Sequence, residues 1–109
     1  MPASKSILVI KWTGTDLLSE QEAEARLHQE GFESFKWLDV PGVTYPHHHH
    51  AADECLWILK GEITFTVKGQ EYPLQAGDRI YLPAGIPHTA IVPKSASVTY
   101  LVGKKKVED

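Results

Sequence analysis

The sequence predicts an all-β protein, an antiparallel sandwich or barrel that carries one short N-terminal helix. Three observations predict it. Past Gly31, turn signals built on Gly and Pro recur every eight to twelve residues, the spacing of short strands in such folds. Between them, segments either alternate apolar with polar residues or gather β-branched and aromatic ones. The helix signal, by contrast, is confined to the stretch before Gly31. The 109 residues suffice for one domain with one core. Its parts read as an N-terminal strand and helix over 1–31, a β-barrel over 32–103 and a solvated tail over 104–109.

In chain order, the apolar run Ile7 to Ile10 is the N-terminal strand. Ser19 and Glu22 then form a capping box, the interval to His28 is rich in helix formers, and Gly31 can end the helix in a left-handed conformation. Ala23 and Leu27 give it a narrow apolar stripe, so it should lie against a larger body. Phe32 to Val40 is extended and stops at Pro41-Gly42. Leu56 to Leu59 is an apolar strand, turned by Lys60-Gly61. Glu62 to Val67 alternates, with Ile63, Phe65 and Val67 on one face, and Lys68-Gly69 turns it into Gln70 to Leu74. Arg79 to Leu82, Thr89 to Val92 and Ser97 to Val102 complete the strands.

Composition narrows the function classes. Lys and Arg number 11 against 14 Asp and Glu, a net charge of −3, which offers neither nucleic acid nor an anionic membrane an electrostatic partner. The triplet Lys104-Lys105-Lys106 is too short for a nucleic-acid patch and reads as part of the tail. The single Cys55 cannot form an internal disulfide. The apolar run near the N-terminus is shorter than a secretory signal or a membrane span requires. The expectation is a cytoplasmic protein.

Four of the six histidines stand in a row at positions 47–50. Successive side chains on a strand point to opposite faces, so His48 and His50 share one face and His47 and His49 the other. Parity on a continuing strand would keep Glu54 with His48 and His50. Imidazoles beside a carboxylate suit a divalent transition ion. His88 follows the rigid stretch Pro83-Ala84-Gly85-Ile86-Pro87 and is a fourth candidate ligand. An expression tag would be terminal, and the alternative register, His47 with His49, would move Glu54 and Gly42 out of spacing.

The intervals extend beyond the cluster. Gly42 is followed after five residues by His48, after one by His50, after three by Glu54 and after six by Gly61. Fifteen residues on, Gly77 is followed after five by Pro83, after one by Gly85 and after two by His88. The stretches GVTYPHHHHAADECLWILKG and GDRIYLPAGIPHTAIV resemble the two signature motifs of the cupin superfamily, and the short gap resembles its small single-domain members. One departure is Val92, where Asn is common. The resemblance implies a double-stranded β-helix, the jelly-roll or cupin barrel. It also implies that His48, His50, Glu54 and His88 bind one divalent ion, whether Fe, Mn, Ni, Cu or Zn. Cupins commonly dimerise, so a homodimer is expected.

Four ligands on an ion that prefers five or six leave positions open for water, dioxygen or a chelating substrate. The leading expectation is a metal-dependent enzyme of the dioxygenase-like type acting on a small organic molecule. A redox-neutral isomerase or lyase on a sugar-like acid is the second, with Tyr81, Tyr100 or the spare histidines as general base. A ligand-sensing or binding module without turnover is the third. Arg79 and Tyr81 share a strand face, where Arg79 reads either as a grip on a substrate carboxylate or as a surface salt bridge. Cys55 and Trp57 have outward parity, Cys55 as a small buried hydrophobe and Trp57 under the helix or a partner subunit. Trp12, Trp37 and Phe35 read as core or interface.

Overall fold

The alternation in Glu62–Val67 shows in miniature why the chain folds as it does. Ile63, Phe65 and Val67 are buried, while Thr64 and Thr66 are half-exposed on the other face. A strand with one apolar face needs a second layer to cover it. The computed structural model describes residues 6–105, and in it two antiparallel sheets supply that cover for each other.

The elements are β1 (Leu8–Ile10), α1 (Glu20–Gln29), β2 (Phe32–Asp39), β3 (Thr44–His48), β4 (Glu54–Lys60), β5 (Glu62–Val67), β6 (Gln70–Gln75), β7 (Arg79–Leu82), β8 (His88–Ile91) and β9 (Val98–Lys105). One sheet runs β1-β7-β4-β9-β2 and the other β3-β8-β5-β6. Their facing sides hold the main core, which includes Leu56, Ile58, Ile80 and Val98 from the first sheet and Ile63, Phe65, Leu74 and Ala90 from the second. This is the double-stranded β-helix that the motifs imply.

Helix α1 packs on the outside of the five-stranded sheet. Ala23 and Leu27 bury their stripe against Phe32, Cys55, Trp57 and Leu101. Ser19 caps it, its Oγ accepting from the Glu22 backbone N–H at 3.3 Å, and Gly31 leaves it with φ +91°. The outward parity of Trp57 is thus spent on the helix, and its indole donates to the Gly77 carbonyl at 2.9 Å. At the β4–β5 turn, Gly61 has φ +90°, and a Cβ there would run into the Ser97 carbonyl. No helix among the described residues is long and apolar enough to cross a membrane.

Two expectations need correction. β9 continues through Lys104 and Lys105, because Glu33 and Phe32 of β2 pair with them, so both lysines belong to a strand and not to a tail. Lys106 to Asp109 lie outside the described residues. Of the two readings for Trp37 and Phe35, core or interface, their exposure of 48% and 46% removes only the first; both sit on edge strand β2. Trp12 is also partly exposed, its backbone N–H held by the Asp78 carboxylate at 2.7 Å.

Candidate metal centre

Strands β3 and β8 pair with His48 directly opposite His88. The two rings lie 4.3 Å apart between centroids. His50 closes the triangle, 4.8 Å from His48 and 5.4 Å from His88. The three residues offer ligand nitrogens that all lie within 4.8 Å of one another.

Two of the three rings are held in one tautomer. His48 Nδ1 is 2.7 Å from the Pro46 carbonyl and His88 Nδ1 is 3.0 Å from that of Ile86. A carbonyl only accepts, so each Nδ1 carries the proton and each Nε2 keeps its lone pair for an ion. Burial pushes the His50 pKa down to about 4, with His48 and His88 adding to the effect. Burial also lowers that of His88, against the pull of the Ile86 carbonyl. His50 and His88 are therefore set up as neutral imidazoles, the form that binds metal. Donor type, protonation and convergence all fit a divalent transition ion. His47 and His49 are exposed.

Glu54 reaches the site by a different route from the one parity suggests. β3 ends at His48 and residues 49–53 form a loop, so no continuous strand links His50 to Glu54. The loop is pinned instead: Gly85 N–H donates to the His50 carbonyl at 2.9 Å and Ala84 N–H to the Asp53 carboxylate at 2.7 Å. Glu54 then opens β4, buried at 4% exposure. Its Oε2 lies 3.4 Å from His50 Nδ1 and 3.9 Å from Lys104 Nζ. Burial raises its pKa, with Lys104 and His48 working against that. The convergent set is thus three histidines, with Glu54 adjoining through His50.

The cluster opens on a cavity of about 210 Å³. Its wall includes the buried Leu56, Phe65 and Tyr100, the half-buried Tyr45, and the exposed Phe35, Trp37 and Lys104. A bulge between Tyr45 and His48 lets residues three apart face the same cavity, which strict alternation forbids.

Of the other candidates, Tyr100 is in this wall. Arg79 and Tyr81 are not. They lie on the outer face of the sheet, where Arg79 Nη1 is 3.2 Å and 3.3 Å from the two Glu30 carboxylate oxygens and Tyr81 donates to Glu30 Oε1 at 2.6 Å. The guanidinium also stacks 4.3 Å above the Trp57 ring. Burial pushes the Cys55 thiol up to about 12, so it stays protonated beneath the helix.

Asp39 is a residue that sequence reasoning missed. It is 5% exposed and accepts three hydrogen bonds: from Trp37 Nε1 at 2.9 Å, Tyr45 OH at 2.6 Å and Tyr100 OH at 2.7 Å. Burial first and Asp39 second raise the pKa of both tyrosines. The available signal was the shared parity of Trp37 and Asp39 on β2.

Known proteins resemble the chain in sequence and in fold. Over 48 residues it is 42% identical to dimethylsulfoniopropionate lyase DddQ of Ruegeria pomeroyi, a stretch covering 43% of this chain and 24% of that enzyme. The crystal structure of that lyase superposes with a TM-score of 0.62 at 30% identity, over 70% of this chain and 39% of the other. The chain therefore spans well under half of the lyase. A cupin 2 domain-containing protein of Halorhodospira halophila matches at 15% identity with a TM-score of 0.71, over 97% of this chain and 81% of its own. The polyketide cyclase RemF of Streptomyces resistomycificus matches at 20% identity with a TM-score of 0.61, over 69% and 55%. The last two likenesses are of fold alone. The family model described as a cupin domain matches residues 35–103, a span that includes all three converging histidines and the aromatic wall, and the chain belongs to the Cupin_2 family.

Proposed function

We propose that the chain is a divalent-metal-dependent cupin enzyme that acts on a small organic acid by redox-neutral, lyase-type elimination. The observation that carries this reading is the set of three converging imidazoles, two with their free Nε2 fixed by carbonyl partners, lining a small cavity rich in apolar and aromatic side chains. The likeness to a lyase in sequence supports the choice among cupin chemistries. His48, His50 and His88 would hold the ion, with Glu54 as the proposed fourth ligand. Such an ion, when bound, supplies Lewis-acid polarisation of a carboxylate or carbonyl oxygen.

The chain's own residues do the rest. Lys104 at the mouth attracts the anionic end of the substrate. Phe65 and Leu56 exclude water around the reacting carbon. Tyr45, whose ring lies 6.2 Å from that of His48, receives the substrate's proton at its hydroxyl oxygen while passing its own to Asp39 Oδ1. The substrate forms its carbon–carbon double bond as the leaving group departs with its electron pair. No oxidant is consumed.

The test uses protein purified without a metal-affinity step and loaded separately with Zn, Fe, Mn, Co, Ni or Cu. Small acids with a leaving group on the β-carbon are incubated under strict anaerobiosis and followed by proton NMR for vinylic signals. Metal-dependent alkene formation is the expected result. Absence of product in every loaded form would remove the lyase reading. The dioxygenase-like reading keeps one observation in its favour, since neutral imidazoles also suit iron, manganese, nickel and copper; turnover that appears only with dioxygen would select it.

A further inference from the structure

Asp39 is a buried carboxylate with unusual company. The other buried acids each have a lysine nearby: Asp78 has Lys11 at 2.7 Å and Glu54 has Lys104 at 3.9 Å. The partners of Asp39 are the neutral donors Trp37, Tyr45 and Tyr100, and among the described residues no cationic side chain forms an ion pair with it. A buried charge without a counter-charge is costly even when fully hydrogen-bonded. Here the cost is borne beside a cavity, and all three donors line that cavity.

The donors are also aromatic. An indole N–H or phenol O–H bonded to a carboxylate feeds electron density into its ring, which deepens the negative potential over the ring face. Three such rings, with Phe35 beside Trp37 at 6.3 Å, make a wall that attracts cations through their π faces. Both Asp39 oxygens already accept hydrogen bonds. A cation rich in N–H groups would find few free acceptors here, whereas a methylated cation needs none.

We propose that the wall formed by Trp37, Tyr45 and Tyr100, backed by Asp39, is the subsite for a methylated onium group, a quaternary ammonium or tertiary sulfonium. The ligand is then a small zwitterion, its cationic end on this wall and its carboxylate toward the histidine cluster and Lys104. The carboxylate half of this assignment rests on the metal-site reading above; the onium half rests on the wall alone.

Calorimetric titration of the metal-loaded full chain tests it with pairs that differ in charge and not in shape. Glycine betaine is compared with 3,3-dimethylbutanoate, and dimethylsulfoniopropionate with 4-methylpentanoate. At least one onium ligand should bind about tenfold or more tightly than its neutral-ended twin, and the pair that shows it identifies ammonium or sulfonium. The ratio should fall toward one in Trp37→Leu and in Asp39→Asn, each checked for an unchanged near-ultraviolet circular dichroism spectrum. Trp37 is half-exposed, so its variant keeps the test available if Asp39→Asn fails to fold. Equal affinities within both pairs, no binding of any of the four, or a ratio that survives in the folded variants would overturn the proposal. Tetramethylammonium, which has no carboxylate, should still bind His88→Ala better than tert-butanol does; that result with no turnover would support the onium subsite while removing the enzyme reading.

Discussion

Two carboxylates on opposite faces of one sheet each grip tyrosine, and they solve the burial of charge differently. On the outer face Glu30 holds Tyr81 and is neutralised by Arg79, which in turn stacks on Trp57. On the cavity face Asp39 holds Tyr45, Tyr100 and Trp37, with no cationic partner among the described residues. The outer arrangement is closed: charge is balanced, every group has a partner, and the helix rests on it. The inner one is open toward a cavity that the three converging histidines also line. A sheet can thus carry two separate polar clusters, because side-chain alternation sends neighbouring residues to opposite faces.

The largest expected effect separates the two faces outright. His88→Ala should weaken metal binding by more than about 100-fold, since even outer-shell partners of ligands are worth about 10–100-fold. Arg79→Ala should leave metal content unchanged by elemental analysis; if it strips the metal, the faces are not independent. Glu54→Gln should lower affinity by about 10–100-fold, read by competition with a chelating dye. Arg79→Ala itself should destabilise the fold by about 2–3 kcal/mol in urea, because it leaves Glu30 uncompensated beside the helix.

A smaller pair of effects probes the two tyrosine clamps. Tyr100→Phe should cost about 2 kcal/mol and Tyr81→Phe about 1 kcal/mol, since Glu30 keeps its arginine while Asp39 has only donors. Equal losses would mean that the missing counter-charge at Asp39 is of no energetic consequence. The smallest effect concerns pH. Because the folded pKa of His50 is lowered to about 4 and that of His88 is also lowered, the unfolded chain binds more protons below its own histidine pKa, about 6.5. Metal-free protein should therefore lose stability as pH falls from about 6.5 toward about 4. Glu54, with its raised pKa, acts in the opposite sense by favouring the folded state at low pH, so the net slope should be shallow. Thermal melts across that range measure it.

Much of this molecule is legible in its sequence. The strands Glu62–Val67 and Arg79–Leu82 and the capped helix follow from period, turn and capping signals. His48 and His50 separate from His47 and His49 by parity alone, because their spacing is local. Glu54 is less legible, since a loop over residues 49–53 breaks the strand that would carry parity from His50. Lys104 and Asp39 were lost to locality as well: one joins the site because β9 pairs with β4 across from Glu54, the other because β2, β3 and β9 meet at one point.

Local sequence specifies the parts: alternating strands that need a second sheet, and imidazoles spaced to fall on one face. Those follow from backbone geometry within a few residues. The tertiary structure alone decided which distant groups share a cavity. It set His48 against His88 by register, turned Tyr45 inward through a bulge, and gave Asp39 neutral donors while giving Glu30 an arginine. The physical reason is that charge balance and convergence are properties of positions in space, and strand pairing between remote segments assigns them.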